Sequence, residues 1–138
     1  MSLAAVCMLG SAAILAALGA VHLLYTFRGR KLRPRDPAVE AAMARAQMGI
    51  TDQTTVWRAW IGFNASHSLG AILFGLVYGF LALCQPELLF GSTYLLLLGF
   101  AMLTALLALA RAYWFRVPFA GLAIALAAYV TGVVIARS

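Results

Sequence analysis

Charge is scarce in this sequence, and negative charge is the scarcer sign. Across 138 residues there are 4 Asp and Glu against 10 Lys and Arg, and charged residues make up 10% of the chain, well below the roughly 25% of an ordinary soluble domain. The carboxylates Asp36, Glu40, Asp52 and Glu87 all fall at edges of apolar segments or between them. A proton-driven pump normally needs an ionisable carboxylate within the membrane, so this distribution argues against one. There are 2 cysteines, Cys7 and Cys84, with no CxxC and no Cys/His metal spacing, which argues against a zinc site or a redox dithiol. No Ser/His/Asp set, HExxH or P-loop is present, and no catalytic residue is assigned.

Apolar residues fill the space that charge leaves. The chain is 64% hydrophobic, with a mean hydropathy of +0.96. A bilayer core takes about 20 predominantly apolar residues per helix, and four such blocks run near 3–27, 56–83, 92–114 and 118–136. The expected fold is all-α: a four-transmembrane-helix bundle forming one domain over residues 1–138. A connector over 28–55 separates the first two spans, and no length remains for a separate soluble catalytic domain. The first block has no basic region ahead of it and no clear small-residue cleavage site, so it reads as a retained span and not a removed signal peptide.

The net charge of +6 does not point to nucleic acid, because the cations are clustered beside the membrane spans. Arg28, Arg30, Lys31, Arg33, Arg35, Arg45 and Arg58 lie in or beside the first connector, and Arg111 and Arg116 close the third span. Basic residues collect on the cytoplasmic side of a membrane protein. This predicts cytoplasmic first and third connections and periplasmic N- and C-termini in a bacterial inner membrane. Arg28, Arg30, Lys31, Arg33 and Arg35 are the expected lipid head-group contacts.

Within the connector, Asp36 followed by Pro37 is an N-cap and first-turn pair. PAVEAAMARAQM then reads as a short amphipathic helix on the cytoplasmic surface, ended by Gly49, with Val39, Ala42, Met43 and Ala46 as its apolar face. Thr51, Asp52, Thr54 and Thr55 offer caps for the second span. Cys84 to Glu87 reads as a turn, with Leu88, Leu89 and Phe90 dipping into the interface. The Leu-rich third span is expected to be the most lipid-exposed. Close packing is expected from small residues: Ala12, Ala16 and Ala20, or Ala13 and Ala17, in the first span, and Gly121, Ala125, Ala128 and Gly132 in the fourth. Pro118 suits the first turn of that last helix.

The second span carries the chain's most distinctive pattern. Trp60, Asn64, His67, Ala71, Gly75 and Gly79 recur at three- and four-residue spacings and so share one helical face, polar at one end and closely packable at the other. Ala71, Gly75 and Gly79 are helix-packing positions. Intramembrane Asn and His cost free energy unless paired or hydrated. His67 lies roughly 14 Å in from Arg58 at 1.5 Å per residue, and His22 lies closer to the same side, so the two histidines are expected to meet between the first two spans.

Three functions follow from this face. The first is a non-enzymatic ligand- or lipid-binding accessory module, with Arg58, Trp57 and Trp60 at the rim and His22, Asn64 and His67 deeper. The second is a redox protein, with b-type haem held by His22 and His67 or a quinone in the same place. The third is a structural subunit of a larger membrane complex or homo-oligomer. Cys7 and Cys84, both expected near the outer ends of adjacent helices, are either small apolar residues or a disulfide.

The run TTVWRAWIGFNASHSLGAILFGLVYG, together with HLLYTFRGRKLRPRD before it, resembles a family of small, uncharacterised bacterial four-helix integral membrane proteins. The resemblance implies the architecture and the bacterial membrane setting, and no activity.

Overall fold

The structure, a computed structural model, describes residues 1–138. Six helices and one hairpin follow one another as α1 Leu3–Phe27, α2 Pro37–Arg45, β1 Gln47–Met48, β2 Thr51–Thr55, α3 Val56–Cys84, α4 Pro86–Gly91, α5 Thr93–Tyr113 and α6 Arg116–Arg137. Four of them, α1, α3, α5 and α6, are long and apolar enough to cross a membrane. They match the four apolar blocks to within about two residues, because an uninterrupted apolar run can satisfy its backbone within lipid as a helix.

The chain divides into two compact units, one of residues 1–18 and 71–138 and one of residues 19–70. In the first, the buried side chains include Met8, Leu15, Leu89, Leu103 and Tyr129. At Gly75 the backbone of α3 comes close against that of α1. A Cβ built there would sit 2.6 Å from the Ala12 carbonyl oxygen, 2.6 Å from the Ala16 Cβ and 3.0 Å from the Ala16 nitrogen, so only glycine fits. Gly79 stands further off, with the Ala12 Cβ at 3.8 Å, and Ala71 is buried. On the α1 side Ala12 is buried and Ala16 half-buried, while Ala13, Ala17 and Ala20 face outward. The small-residue repeat therefore packs along one of its two possible stripes, and over only half of that.

The third span is the most exposed of the four, as expected, yet it carries a defined packing face. Leu96, Gly99, Leu103, Leu106 and Ala110 form a buried stripe on α5 at helical spacing. Outside that stripe nearly every α5 residue is exposed, a larger share than in α1, α3 or α6, where more of the remaining positions are half-buried. In α6 the buried stripe is Leu122, Ala125, Tyr129 and Gly132. Gly121 approaches Leu18 and Ala128 is only half-buried. The turn after α3 is itself a short helix, and of its apolar residues Leu89 is buried while Leu88 stays exposed.

Two tyrosines tie this unit together by hydrogen bonds that the residue pattern does not announce. The Tyr78 hydroxyl donates to the Leu95 carbonyl at 2.7 Å, and the Tyr129 hydroxyl donates to the Leu96 carbonyl at 2.9 Å. Gly99 leaves room for both rings, which meet edge to face at 6.0 Å between centroids. An aromatic in an apolar run gives no sign of whether it faces lipid or a neighbouring helix, so periodicity singles out neither residue. Cys7 and Cys84 are free thiols, with no disulfide between them.

In the second unit, α1 ends where Gly29 takes a left-handed φ of 79°, a backbone conformation that side chains resist. Asp36 caps α2 through its carboxylate, which accepts the Ala38 N–H at 2.8 Å, and Pro37 occupies the first turn. The helix stops at Arg45, four residues short of Gly49. The reason is the hairpin: Gln47 stands opposite Thr55 and Met48 opposite Thr51, with a register irregularity between the pairs, and the Val56 N–H donates to the Ala46 carbonyl at 2.9 Å. Thr51 to Thr55, expected only as helix caps, form β2. Threonine's branched Cβ favours an extended strand, and Gly49 lies in the turn. Thr55 still caps α3, accepting the Arg58 N–H at 3.3 Å.

Candidate functional site

The polar cluster lies in the second unit, built from the last turns of α1 and the first half of α3. His22 and His67 stand side by side, with ring centroids 5.6 Å apart and planes at 80°. Asn64, buried, is the hinge of the arrangement. Its side-chain Nδ2 donates to the Trp60 carbonyl at 2.8 Å, and its Oδ1 lies 2.8 Å from Nε2 of His22. An amide oxygen only accepts hydrogen bonds, so Nε2 of His22 carries the proton and donates. That leaves no lone pair on Nε2, and axial ligation of a haem iron through this nitrogen requires the Asn64 bond to be given up. The half-buried His67 packs edge to face against the His22 ring.

Two buried hydroxyls complete the lining. Thr26 donates to the His22 carbonyl at 2.9 Å and Ser68 donates to the Asn64 carbonyl at 2.8 Å. Each satisfies its hydroxyl on its own helix, four residues back. Ser68 is fully buried while His67 is not, so the inward face of α3 runs Asn64, Ser68, Ala71 and Gly75 and is rotated slightly from the expected line. A serine directly after a histidine carries too little periodic signal to fix that rotation.

Trp60 departs most from expectation. It is 42% exposed and turns to the connector, its indole N–H donating to the Leu32 carbonyl at 3.1 Å. Trp57 also belongs to this rim, with the Arg33 guanidinium 5.6 Å from its ring centroid. Arg58 is exposed and makes no side-chain hydrogen bond or ion pair. The site residues therefore separate into a deep trio of His22, Asn64 and His67 and a rim of Trp57, Arg58 and Trp60.

The rim is strongly electropositive. Glu40 is the one carboxylate in ion pairs there, with Arg33 at 2.8 Å and Arg30 at 3.9 Å. Arg28, Lys31, Arg35, Arg45 and Arg58 have no carboxylate partner. Lys31 instead donates to the Tyr25 hydroxyl at 2.8 Å, with its ammonium 4.1 Å from that ring's centroid. A groove of about 440 Å³ opens beside it, lined by Lys31, Leu32, Arg33, Pro34, Met43 and Trp60. In the other unit a cleft of about 600 Å³ runs between α5 and α6 with mostly aliphatic walls, and Arg137 donates to the Thr93 hydroxyl there at 3.2 Å. None of the residues picked out as ligand-binding candidates lines it. No group of three or more His, Cys, Asp or Glu side chains is placed to hold a metal ion.

Fold and site together define a helical protein with four helices capable of crossing a membrane, a hydrogen-bonded polar cluster on two of them and a basic rim beside it. Compared with family models, curated proteins and solved structures, the chain has no match.

Proposed function

We propose that this chain is a non-enzymatic, multi-pass accessory protein of the bacterial inner membrane, a four-helix bundle that binds anionic lipid or a related amphiphile at its cytoplasmic edge. The observation that carries this reading is the set of five cations in and beside the connector without a carboxylate partner, one of which, Lys31, lines a groove with Arg33 and Trp60. Near an anionic leaflet each such cation contributes about 1 kcal/mol, and indole rings favour the boundary between head groups and hydrocarbon. The deep trio supports it differently. His22 and Asn64 use their hydrogen bonds on each other and on Trp60, which holds the rim-bearing ends of α1 and α3 together. The connector cations together with Arg111 and Arg116 support cytoplasmic first and third connections and periplasmic termini.

A second, redox reading is favoured by one observation, the 5.6 Å approach of the two imidazole rings. Native mass spectrometry of the full chain from its own membrane, with lipids and cofactors identified, separates the two. Anionic lipid retained on a colourless protein is the expected result. A haem mass with a Soret band would replace the lipid reading with the redox one. Retention of neither, with His67→Ala altering only assembly, would make the protein a structural subunit.

A further inference from the structure

The connector groove is more specific than a diffuse basic surface. We propose that it seats one anionic glycerophospholipid, with the phosphate held by Lys31 and Arg33 and the glycerol and upper acyl chain lying on Leu32, Pro34, Met43 and the Trp60 indole. This rests on the lipid-binding reading above and narrows it from general attraction to a single site.

One groove cation has no carboxylate partner and the other keeps donors to spare. An ammonium has three donors, and Lys31 uses one on a neutral phenol, which leaves its charge uncompensated. Arg33 meets Glu40 through Nη1, so its other guanidinium nitrogens remain to take an anion, and its side chain is 44% exposed. Glu40 also faces Arg30, and in this way one carboxylate ties α2 to the loop that carries the cations.

The walls separate a lipid from a free anion. Trp60 is held by its N–H on the Leu32 carbonyl, which leaves the ring faces as apolar surface. Leu32, Pro34 and Met43 add aliphatic surface. Inorganic phosphate gains nothing from such walls, whereas a glycerophospholipid brings charge and hydrocarbon a few ångströms apart. The groove also lies where α1 ends and α3 begins, at the depth expected of head groups.

The test titrates the full chain in neutral detergent with phosphatidylglycerol or phosphatidylcholine and counts bound lipid by native mass spectrometry. One phosphatidylglycerol per chain should bind ahead of phosphatidylcholine, and Lys31→Gln should weaken it about tenfold, the loss of one charge-assisted hydrogen bond. Met43→Gln should weaken it without any change in net charge. Arg35→Gln, an exposed cation outside the groove, should change it by less than about twofold. Thermal unfolding of each variant checks that the fold is kept. Equal losses in Lys31→Gln and Arg35→Gln would overturn the groove and leave general lipid attraction standing. No preference for phosphatidylglycerol in the unaltered chain would overturn both. Displacement by inorganic phosphate at concentrations equal to the lipid would assign a soluble anion and overturn the lipid assignment.

Discussion

Replacing Gly75 by alanine adds one methyl group where the backbone of α1 already stands. The new carbon would lie 2.6 Å from the Ala12 carbonyl oxygen and 2.6 Å from the Ala16 Cβ, while carbon atoms in contact settle at about 3.5–4.0 Å. The two helices must therefore part by on the order of 1 Å at this level, and no side-chain rotation relieves a clash with backbone. Overpacking of this kind costs about 1–3 kcal/mol, offset by the roughly 0.5–1 kcal/mol that alanine gains over glycine within a helix. The difference centres on a net loss of about 1 kcal/mol, roughly fivefold in the folding equilibrium. Gly79→Ala is the matched control: its methyl would meet the Ala12 Cβ at 3.8 Å, an ordinary contact, so it keeps the helix gain alone and should be more stable by about 0.5–1 kcal/mol. Both variants can be compared by reversible unfolding in mixed micelles titrated with sodium dodecyl sulfate and followed by tryptophan fluorescence. If Gly75→Ala is no less stable than Gly79→Ala, the close approach of α1 and α3 is wrong.

The same unfolding assay tests the polar pair. A double-mutant cycle of His22→Ala and Asn64→Ala should return a coupling of about 0.6–1.7 kcal/mol, the range for hydrogen bonds between membrane helices, and a coupling near zero would remove the bond from the folded state. Tyr129→Phe keeps the ring and deletes the donor to Leu96, so a loss of about 1 kcal/mol is expected; an unchanged midpoint would mean that the carbonyl does not need it. Asp36→Ala should loosen α2 by about 0.5–2 kcal/mol, read as faster amide exchange over Pro37–Arg45 with the exchange of α5 unaltered. Finally, in a chain lacking Cys7 and Cys84, a cysteine placed in the 30–50 connector should resist impermeant thiol reagents applied to intact cells, and labelling from outside would reverse the proposed orientation.

Part of the candidate site is legible in the sequence, and it is the part that depends on helical period. His22, Asn64 and His67 sit on two apolar runs at computable depths, and these depths, offset by about 6 Å between the two histidines, bring them within reach of one another. Three-residue and four-residue spacing also put Ala71 and Gly75 on one face. What period cannot supply is the exact rotation of a helix, and so Ser68 takes the fully buried position and Trp60 turns to the connector. Nor does it show which side chain will find a distant carbonyl. The contacts of Tyr78 with Leu95 and Tyr129 with Leu96 span 17 and 33 residues, and nothing local encodes either.

Composition alone decided that four long segments are helical, because in an apolar medium a run of about 20 residues has to close its backbone hydrogen bonds within itself. The order of residues decided in turn that seven of the ten cations lie in or beside one connector. Tertiary structure decided everything that depends on two segments meeting. It shortened α2 by pairing Gln47 and Met48 with Thr51–Thr55. It selected one small-residue stripe of α1 over its equal in sequence, since Gly75 can accept only the backbone at Ala12 and Ala16. It also turned two lone histidines into a defined cluster, because the oxygen of a buried Asn64, its amide committed to Trp60, accepts from Nε2 of His22.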